Sequence, residues 1–147
     1  GICGMIGGQC ADLAAESKEQ VTEEELLFIH ENKTAALIQA AMMIGAVLAG
    51  AGRKEVDAME RAATLIGIAF QIQDDILDVT GSQEVLGKPV GSDERNHKLT
   101  YVSLHGLEAS QKEVKRMSAE AVSILQSFEN RNEFLEELVT FLITREK

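Results

Sequence analysis

The sequence is poor in residues that favour β-strands. Its 147 residues include no tryptophan, one tyrosine, five phenylalanines and one proline. Aromatic residues are enriched in strands, so their scarcity leaves the strand signals weak. Alanine, leucine, isoleucine and glutamate dominate instead, and the length suits one domain or part of a larger one. We therefore predict an all-α fold.

Positive charge is also scarce. The chain has 14 lysine and arginine residues against 24 aspartate and glutamate residues, which gives a formal net charge of −10. This imbalance argues against nucleic acid and against anionic membrane surfaces as partners. A phosphorylated small molecule would be repelled as well, unless bridging metal ions and a few well-placed lysines reversed the local field.

Polar residues are nearly absent from one long stretch. Between Ala35 and Gly52 only Gln39 is strongly polar, and about 18 apolar residues can be enough to span a membrane. However, alanine and glycine supply much of this stretch, and charged residues flank it. We expect a central helix that is buried on every side, and not an integral membrane protein.

Cysteine is limited to Cys3 and Cys10. Both lie among small apolar residues, which suits buried thiols in a reducing compartment better than a disulfide. We therefore expect a cytoplasmic protein. A plastid transit peptide would precede Gly1, so a plastid location stays open.

Helix signals occur along most of the chain. Thr22 and Glu25 have the spacing of a capping box. A polar bend is expected near residues 30–34, and Gly50 and Gly52 end the apolar helix that follows it. The periodicity predicts a first helix that runs from before Gly1 to about residue 16, and later helices at 54–79, 99–107, 110–128 and 132–144.

Three aspartates end the helix predicted at 54–79. Each residue turns an α-helix by about 100°, so Asp74 and Asp78 lie one above the other on one face, and Asp75 is rotated by one residue from Asp74. Like charges at this spacing repel, so the cluster favours a compensating cation. Carboxylate oxygens suit Mg²⁺, which binds one or two carboxylates together with substrate phosphates. The alternative is a solvated acidic face, but the neighbouring residues are mainly apolar.

Residues 80–98 show no sustained periodicity and contain the only proline. Ordered segments of this kind are uncommon and are usually functional. Lys88, Arg95 and Lys98 lie here, and we expect them within reach of a phosphate. The alternative is a solvated connector.

Several motifs together resemble the trans-prenyltransferase (polyprenyl synthetase) family, especially its bacterial-type farnesyl and geranylgeranyl diphosphate synthases. A single Asp-Asp-x-x-Asp is weak evidence, whereas several ordered motifs at compatible spacings are strong evidence. The matching segments are residues 7–13 (GGQ-x-x-DL), 30–34 (H-x-x-KT), 70–78 (FQ-x-x-DD-x-x-D), 87–88 (GK), 91–93 (G-x-D), 98–101 (K-x-TY) and 145–147 (R-x-K).

The resemblance implies an isoprenoid synthase-type helical bundle, working as a homodimer, that joins isopentenyl diphosphate to an allylic diphosphate. The implied cofactor is Mg²⁺, with Asp74, Asp75 and Asp78 as its ligands. The implied diphosphate-binding residues are Lys33, Lys88, Lys98, Gln9 and Asp12. The implied catalytic residues, which present oxygens to an allylic cation, are Lys33 through its backbone carbonyl, Thr34 and Gln71.

One part of the family pattern does not occur in the sequence. The family has two aspartate-rich motifs, and the first would lie before Gly1. We expect residues 1–147 to be the C-terminal part of a single polyprenyl synthase domain and to be inactive alone. Two alternatives stay open: a non-catalytic subunit that modulates a catalytic prenyl synthase, and a class I terpene cyclase, whose second metal motif is not found. These residues do not reveal the product chain length.

Overall fold

The computed structural model describes residues 1–18, 20–81 and 99–145, and every regular element in these ranges is helical. This confirms the all-α prediction. In chain order the elements are α1 (Met5–Ala15), α2 (Glu23–Ile29), a π-helical segment (His30–Ala35), α3 (Ala36–Leu48), α4 (Arg53–Thr80), α5 (Tyr101–His105), α6 (Leu107–Gln126) and α7 (Glu133–Thr144).

The long helix α4 forms the centre of this bundle. It packs against α6, α3 and the π-helical segment, while α7 packs on both α4 and α6. The core side chains of α4 and α6 recur every three or four residues, as the faces of two packed helices require. They are Ala62, Ile66, Ala69, Ile72 and Ile76 from α4, and Val114, Met117, Ala121 and Leu125 from α6.

The start of α2 is a complete capping box. The Thr22 hydroxyl accepts the Glu25 N–H at 3.2 Å, and the Glu25 carboxylate accepts the Thr22 N–H at 3.0 Å. This confirms the start predicted from these two residues. Hydrogen bonds from Lys18 and then from the Thr22 backbone hold the pKa of the Glu25 carboxyl below its usual value, so the carboxylate stays ionised in the box.

The end of α3 is a Schellman turn. Gly50 has a left-handed φ of 83°, the Gly50 N–H donates to the Val47 carbonyl, and the Ala51 N–H donates to the Ala46 carbonyl, both at 3.0 Å. This is the geometry that glycine favours after a helix. The stop predicted at Gly50 is therefore confirmed.

The prediction that the helix after Ala35 is buried on every side is wrong. No residue of α3 is fully buried, and Ile44, Val47 and Leu48 are 59%, 59% and 83% exposed. The reason is that α3 lies at the edge of the described bundle, where α4 and the π-helical segment cover only one of its sides. An apolar face of this kind is typical of an interaction surface.

Two smaller expectations also differ from the structure. Cys3 and Cys10 are free thiols, but they are exposed and not buried. The first helix begins at Met5, because residues 1–4 form a turn in which the Gly4 N–H donates to the Gly1 carbonyl at 3.1 Å. Among the described residues, every helix is too short or too polar to cross a membrane.

Replacing Thr22 with alanine should lower the free energy of unfolding by about 1 kcal/mol, because the Glu25 N–H loses its acceptor. Urea denaturation followed by circular dichroism measures this change. Thr22→Ser keeps the hydroxyl and is the matched control, so it should unfold close to the unsubstituted protein. Equal losses in the two variants would contradict the capping role.

Candidate active site

The sequence motif at residues 30–34 forms a π-helical bulge. The Ala36 N–H donates to the Glu31 carbonyl, five residues back, and the Asn32 side chain donates to the Phe28 carbonyl at 2.9 Å. The sequence predicts a bend or a break here, and the structure shows no break: α2, the π-helical segment and α3 follow one another without interruption, with one widened turn. Such bulges are frequent at functional sites, and this one carries Lys33 and Thr34.

Two glycines allow neighbouring helices to approach the bulge at backbone distance. A Cβ atom added to Gly8 of α1 would collide with the Lys33 nitrogen and lie 2.7 Å from the Lys33 Cα atom. A Cβ atom added to Gly67 of α4 would collide with the Ala35 Cα and Cβ atoms and lie 3.1 Å from its nitrogen. The bulge therefore lies between two glycine contacts, and its position relative to α1 and α4 depends on them.

Lys33 forms an ion pair with Asp12 of α1. The Lys33 Nζ atom lies 2.5 Å from the Asp12 Oδ2 atom, and the Asp12 side chain is 7% exposed whereas that of Lys33 is 32% exposed. The Asp12 carboxylate would repel a diphosphate. We therefore interpret Asp12 as the residue that holds the Lys33 ammonium group in place. A direct diphosphate contact for Asp12 stays a prediction. Gln9 lies half-buried on the same helix, and its predicted role likewise stays a prediction.

Thr34 and Gln71 are joined across the site. The Thr34 hydroxyl donates to the Gln71 Oε1 atom at 2.9 Å, although the two residues lie 37 positions apart in the sequence. The structure therefore brings together the bulge motif and the aspartate-rich helix α4. Because the hydroxyl proton is directed at Gln71, the lone pairs of the Thr34 oxygen are directed elsewhere.

The three aspartates of α4 have different surroundings. The Asp74 side chain is 42% exposed, and its Oδ1 atom lies 3.5 Å from Nη2 of Arg145. Asp75 is 5% exposed and accepts the Tyr101 N–H at 2.9 Å. Asp78 is 2% exposed. Asp74 and Asp78, which the spacing places on one face of the helix, therefore differ in exposure.

The aspartates of α4 are the candidate ligands of the predicted Mg²⁺. In the ranges that the structure covers, no three His, Cys, Asp or Glu side chains are grouped as a metal site. Mg²⁺ needs fewer protein ligands than that, because water and substrate phosphates complete its shell. Asp74 fits this requirement: its carboxylate is accessible, and it already faces one cationic group, the guanidinium of Arg145.

Two predicted diphosphate-binding residues, Lys88 and Lys98, lie outside the described residues. The same holds for Arg95 and for most of the segment at 80–98. Their predicted roles stay predictions.

A family model for polyprenyl synthetases matches residues 2–141 of the chain. The chain belongs to the polyprenyl synthetase family. It is 42% identical over 142 residues to a geranylgeranyl diphosphate synthase of Cyanophora paradoxa, covering 97% of this chain and 47% of that protein. It is also 42% identical over 146 residues to a farnesyl diphosphate synthase of Bacillus subtilis, covering 99% of this chain and 49% of that protein.

Solved polyprenyl synthetase structures share the same helical fold. A geranyltransferase of Helicobacter pylori, solved in complex with magnesium and isoprenyl diphosphate, superimposes with a TM-score of 0.77 at 33% identity. The match covers 97% of this chain and 46% of that one. The predicted isoprenoid synthase-type bundle is confirmed, and the chain spans about half the length of the relatives it matches.

Sequence reasoning did not assign a role to Arg145. Its guanidinium stacks 4.0 Å from the centre of the Phe70 ring, and its carbonyl accepts the Gln73 side chain at 3.3 Å. Contacts with Phe70, Gln73 and Asp74 of α4 therefore hold Arg145 in place. The only sequence signal was the R-x-K ending that is similar to the tail of other polyprenyl synthetases.

Replacing Gly67 with alanine should lower the free energy of unfolding by about 1–3 kcal/mol, because the new methyl group overlaps the Ala35 backbone. The matched control is Gly45→Ala inside α3, where nothing lies within 4 Å of the added Cβ atom. That variant should gain up to about 1 kcal/mol from helix propensity alone. Thermal unfolding measures both. A neutral or stabilising effect at position 67 would show that the close approach is not required.

Proposed function

We propose that the complete protein containing this chain is a prenyltransferase. It would condense isopentenyl diphosphate head-to-tail with an allylic diphosphate, forming a 1'-4 bond and a short-chain trans-prenyl diphosphate, farnesyl or geranylgeranyl. The observation that carries the proposal is the Thr34–Gln71 hydrogen bond, at 2.9 Å. It brings the residue next to Lys33 together with the helix that bears the aspartates, which is the grouping that a diphosphate leaving group requires.

The aspartates give this site its metal preference. Asp74, with Asp78 one turn further along α4, would hold Mg²⁺ against the diphosphate. When bound, the ion supplies positive charge that stabilises diphosphate as a leaving group. The oxygen-only donors of these side chains support this choice, as does the related Helicobacter pylori enzyme, which was solved with magnesium.

Lys33 is suited to bind the diphosphate directly. Its ammonium group has three donors, and the pair with Asp12 uses one of them while about a third of the Lys33 side chain stays exposed. The remaining donors can reach phosphate oxygens as charge-assisted hydrogen bonds. Lys88 and Lys98 would add further positive charge, which a chain with a net charge of −10 needs around an anionic substrate.

Thr34 and Gln71 are suited to the cationic half of the reaction. Once the carbon–oxygen bond of the allylic diphosphate ionises, an allylic cation is left. The Thr34 and Gln71 oxygens and the Lys33 carbonyl would present partial negative charge to this cation without trapping it. The double bond of isopentenyl diphosphate then attacks the cation, and the proton that is lost passes to the released diphosphate. No side chain need act as a nucleophile.

The relatives that this chain matches are about twice as long as its 147 residues. The family's first aspartate-rich motif is not found in these 147 residues, so we propose that another segment supplies it and that residues 1–147 are inactive alone. We further propose a homodimer and a cytoplasmic location. The exposed apolar face of α3 supports an interaction surface, and the two free cysteines suit a reducing compartment.

The proposed function is tested by assaying the complete gene product with Mg²⁺, isopentenyl diphosphate and dimethylallyl, geranyl or farnesyl diphosphate. We expect condensation, and the product length will distinguish farnesyl from geranylgeranyl synthesis. A folded protein that condenses no acceptor would contradict the proposal and favour the modulating subunit. Cyclised products would favour the terpene cyclase.

Replacing Asp74 with alanine should lower kcat/KM by about 10²- to 10³-fold, because the departing diphosphate loses electrostatic stabilisation. The matched control is Asp57→Ala at the other end of α4, where the carboxylate pairs only with the exposed Arg53 at 2.8 Å among the contacts described. That variant should keep nearly full activity. An unchanged rate in Asp74→Ala would refute its role as a metal ligand.

Replacing Lys33 with methionine should lower kcat/KM for the allylic diphosphate by roughly 10- to 100-fold, the range expected when a charged hydrogen bond of about 1.5–3 kcal/mol is lost. The control is Lys18→Met, which removes an exposed lysine paired with Glu25. Thermal unfolding of both variants separates loss of binding from loss of fold. Equal activity in the two variants would contradict the assignment.

A further inference from the structure

Asp75 faces the interior of the bundle. Its side chain is 6% exposed, and its Oδ2 atom accepts the backbone N–H of Tyr101 at 2.9 Å. Tyr101 is the first residue of α5, where helical N–H groups lack partners within their own helix. The second aspartate of the motif therefore joins α4 to the start of α5.

The same carboxylate oxygen lies beside the bulge that carries Lys33 and Thr34. The Nε2 atom of His30 is 4.0 Å from Asp75 Oδ2, and the His30 side chain is 4% exposed. His30 is the first residue of the π-helical segment. Asp75 thus contacts two elements at once: the start of α5 and the start of the bulge.

The neighbouring Asp74 has a different environment. Its side chain is 42% exposed, so its carboxylate is accessible from solvent. The short helix α5 is held further by the Thr100 side chain, which caps it, and by a contact of 3.0 Å between His105 and Glu23 of α2. The Asp75 hydrogen bond to the Tyr101 N–H is a third contact that holds α5 in place.

We propose that Asp75 is a positioning residue and not a metal ligand. It holds α4 against α5 and the bulge, so that Asp74, Lys33 and Thr34 keep their relative positions. The inference rests on the proposed function, and it revises the ligand role that the family resemblance implies for the middle aspartate.

The test compares three variants of the complete gene product: Asp75→Asn, Asp75→Ala and Asp74→Asn. Asparagine at position 75 keeps an oxygen at the Oδ2 position, which accepts the Tyr101 N–H and stays beside His30, but it removes the negative charge with which a carboxylate binds Mg²⁺. Alanine removes both contacts. Asp74→Asn is the matched control, because it makes the same chemical change at the accessible aspartate.

The readout is the rise in melting temperature as Mg²⁺ is added in the presence of inorganic pyrophosphate. We expect the half-saturating Mg²⁺ concentration to stay within about twofold of the unsubstituted value in Asp75→Asn, and to increase by roughly tenfold or more in Asp74→Asn. We also expect Asp75→Asn to restore most of the stability and condensation rate lost in Asp75→Ala. If Asp75→Ala does not fold, Asp75→Asn alone decides.

Two failures can be told apart. If Asp75→Asn requires as much additional Mg²⁺ as Asp74→Asn, Asp75 is a ligand and the positioning role is overturned while the proposed function stands. If the unsubstituted protein shows no Mg²⁺-dependent stabilisation with pyrophosphate, the proposed function fails and the positioning role fails with it.

Discussion

The backbone contacts of Gly8 and Gly67 with the π-helical bulge are the constraint on which the site depends. Both glycines lie where a methyl group would overlap the bulge. Their contacts set the distance of the bulge from α1 and α4, and that distance lets Lys33 reach Asp12 on one side and Thr34 reach Gln71 on the other. The hydrogen bonds are therefore a consequence of close packing, and side-chain polarity alone would not produce them.

Adjacent aspartates of one motif have different environments. Asp74 is accessible and faces a cation, whereas Asp75 is buried against the Tyr101 N–H. Burial of a carboxylate is costly unless it accepts hydrogen bonds, and the Asp75 carboxylate accepts the Tyr101 N–H. Burial also affects Tyr101: together with the charges of Glu113 and Glu23, it holds the pKa of the Tyr101 hydroxyl above its usual value.

Local features were predictable from the sequence, and tertiary ones were less so. The capping box at Thr22 and the stop at Gly50 follow from contacts within a few residues, so their residue types identify them. The family resemblance identified the bundle. The exposure of Ile44 and Leu48 was not predictable, because the sequence of an apolar helix does not show how many of its sides are covered by neighbouring helices. The burial of Asp75 depends on Tyr101, 26 residues away, and periodicity carries no information about such a partner.

The widened turn also lets a continuous helix carry an extra residue without changing the faces that its two halves present. A π-turn contains one residue more than an α-helical turn, so deleting one residue between 30 and 35 would restore the regular ladder and leave α3 at nearly the same rotation about the helix axis. The Gln39 amide, which donates to the Thr64 hydroxyl at 2.7 Å, would therefore still face α4. The deletion would act locally, on the backbone of the turn that carries Lys33 and Thr34.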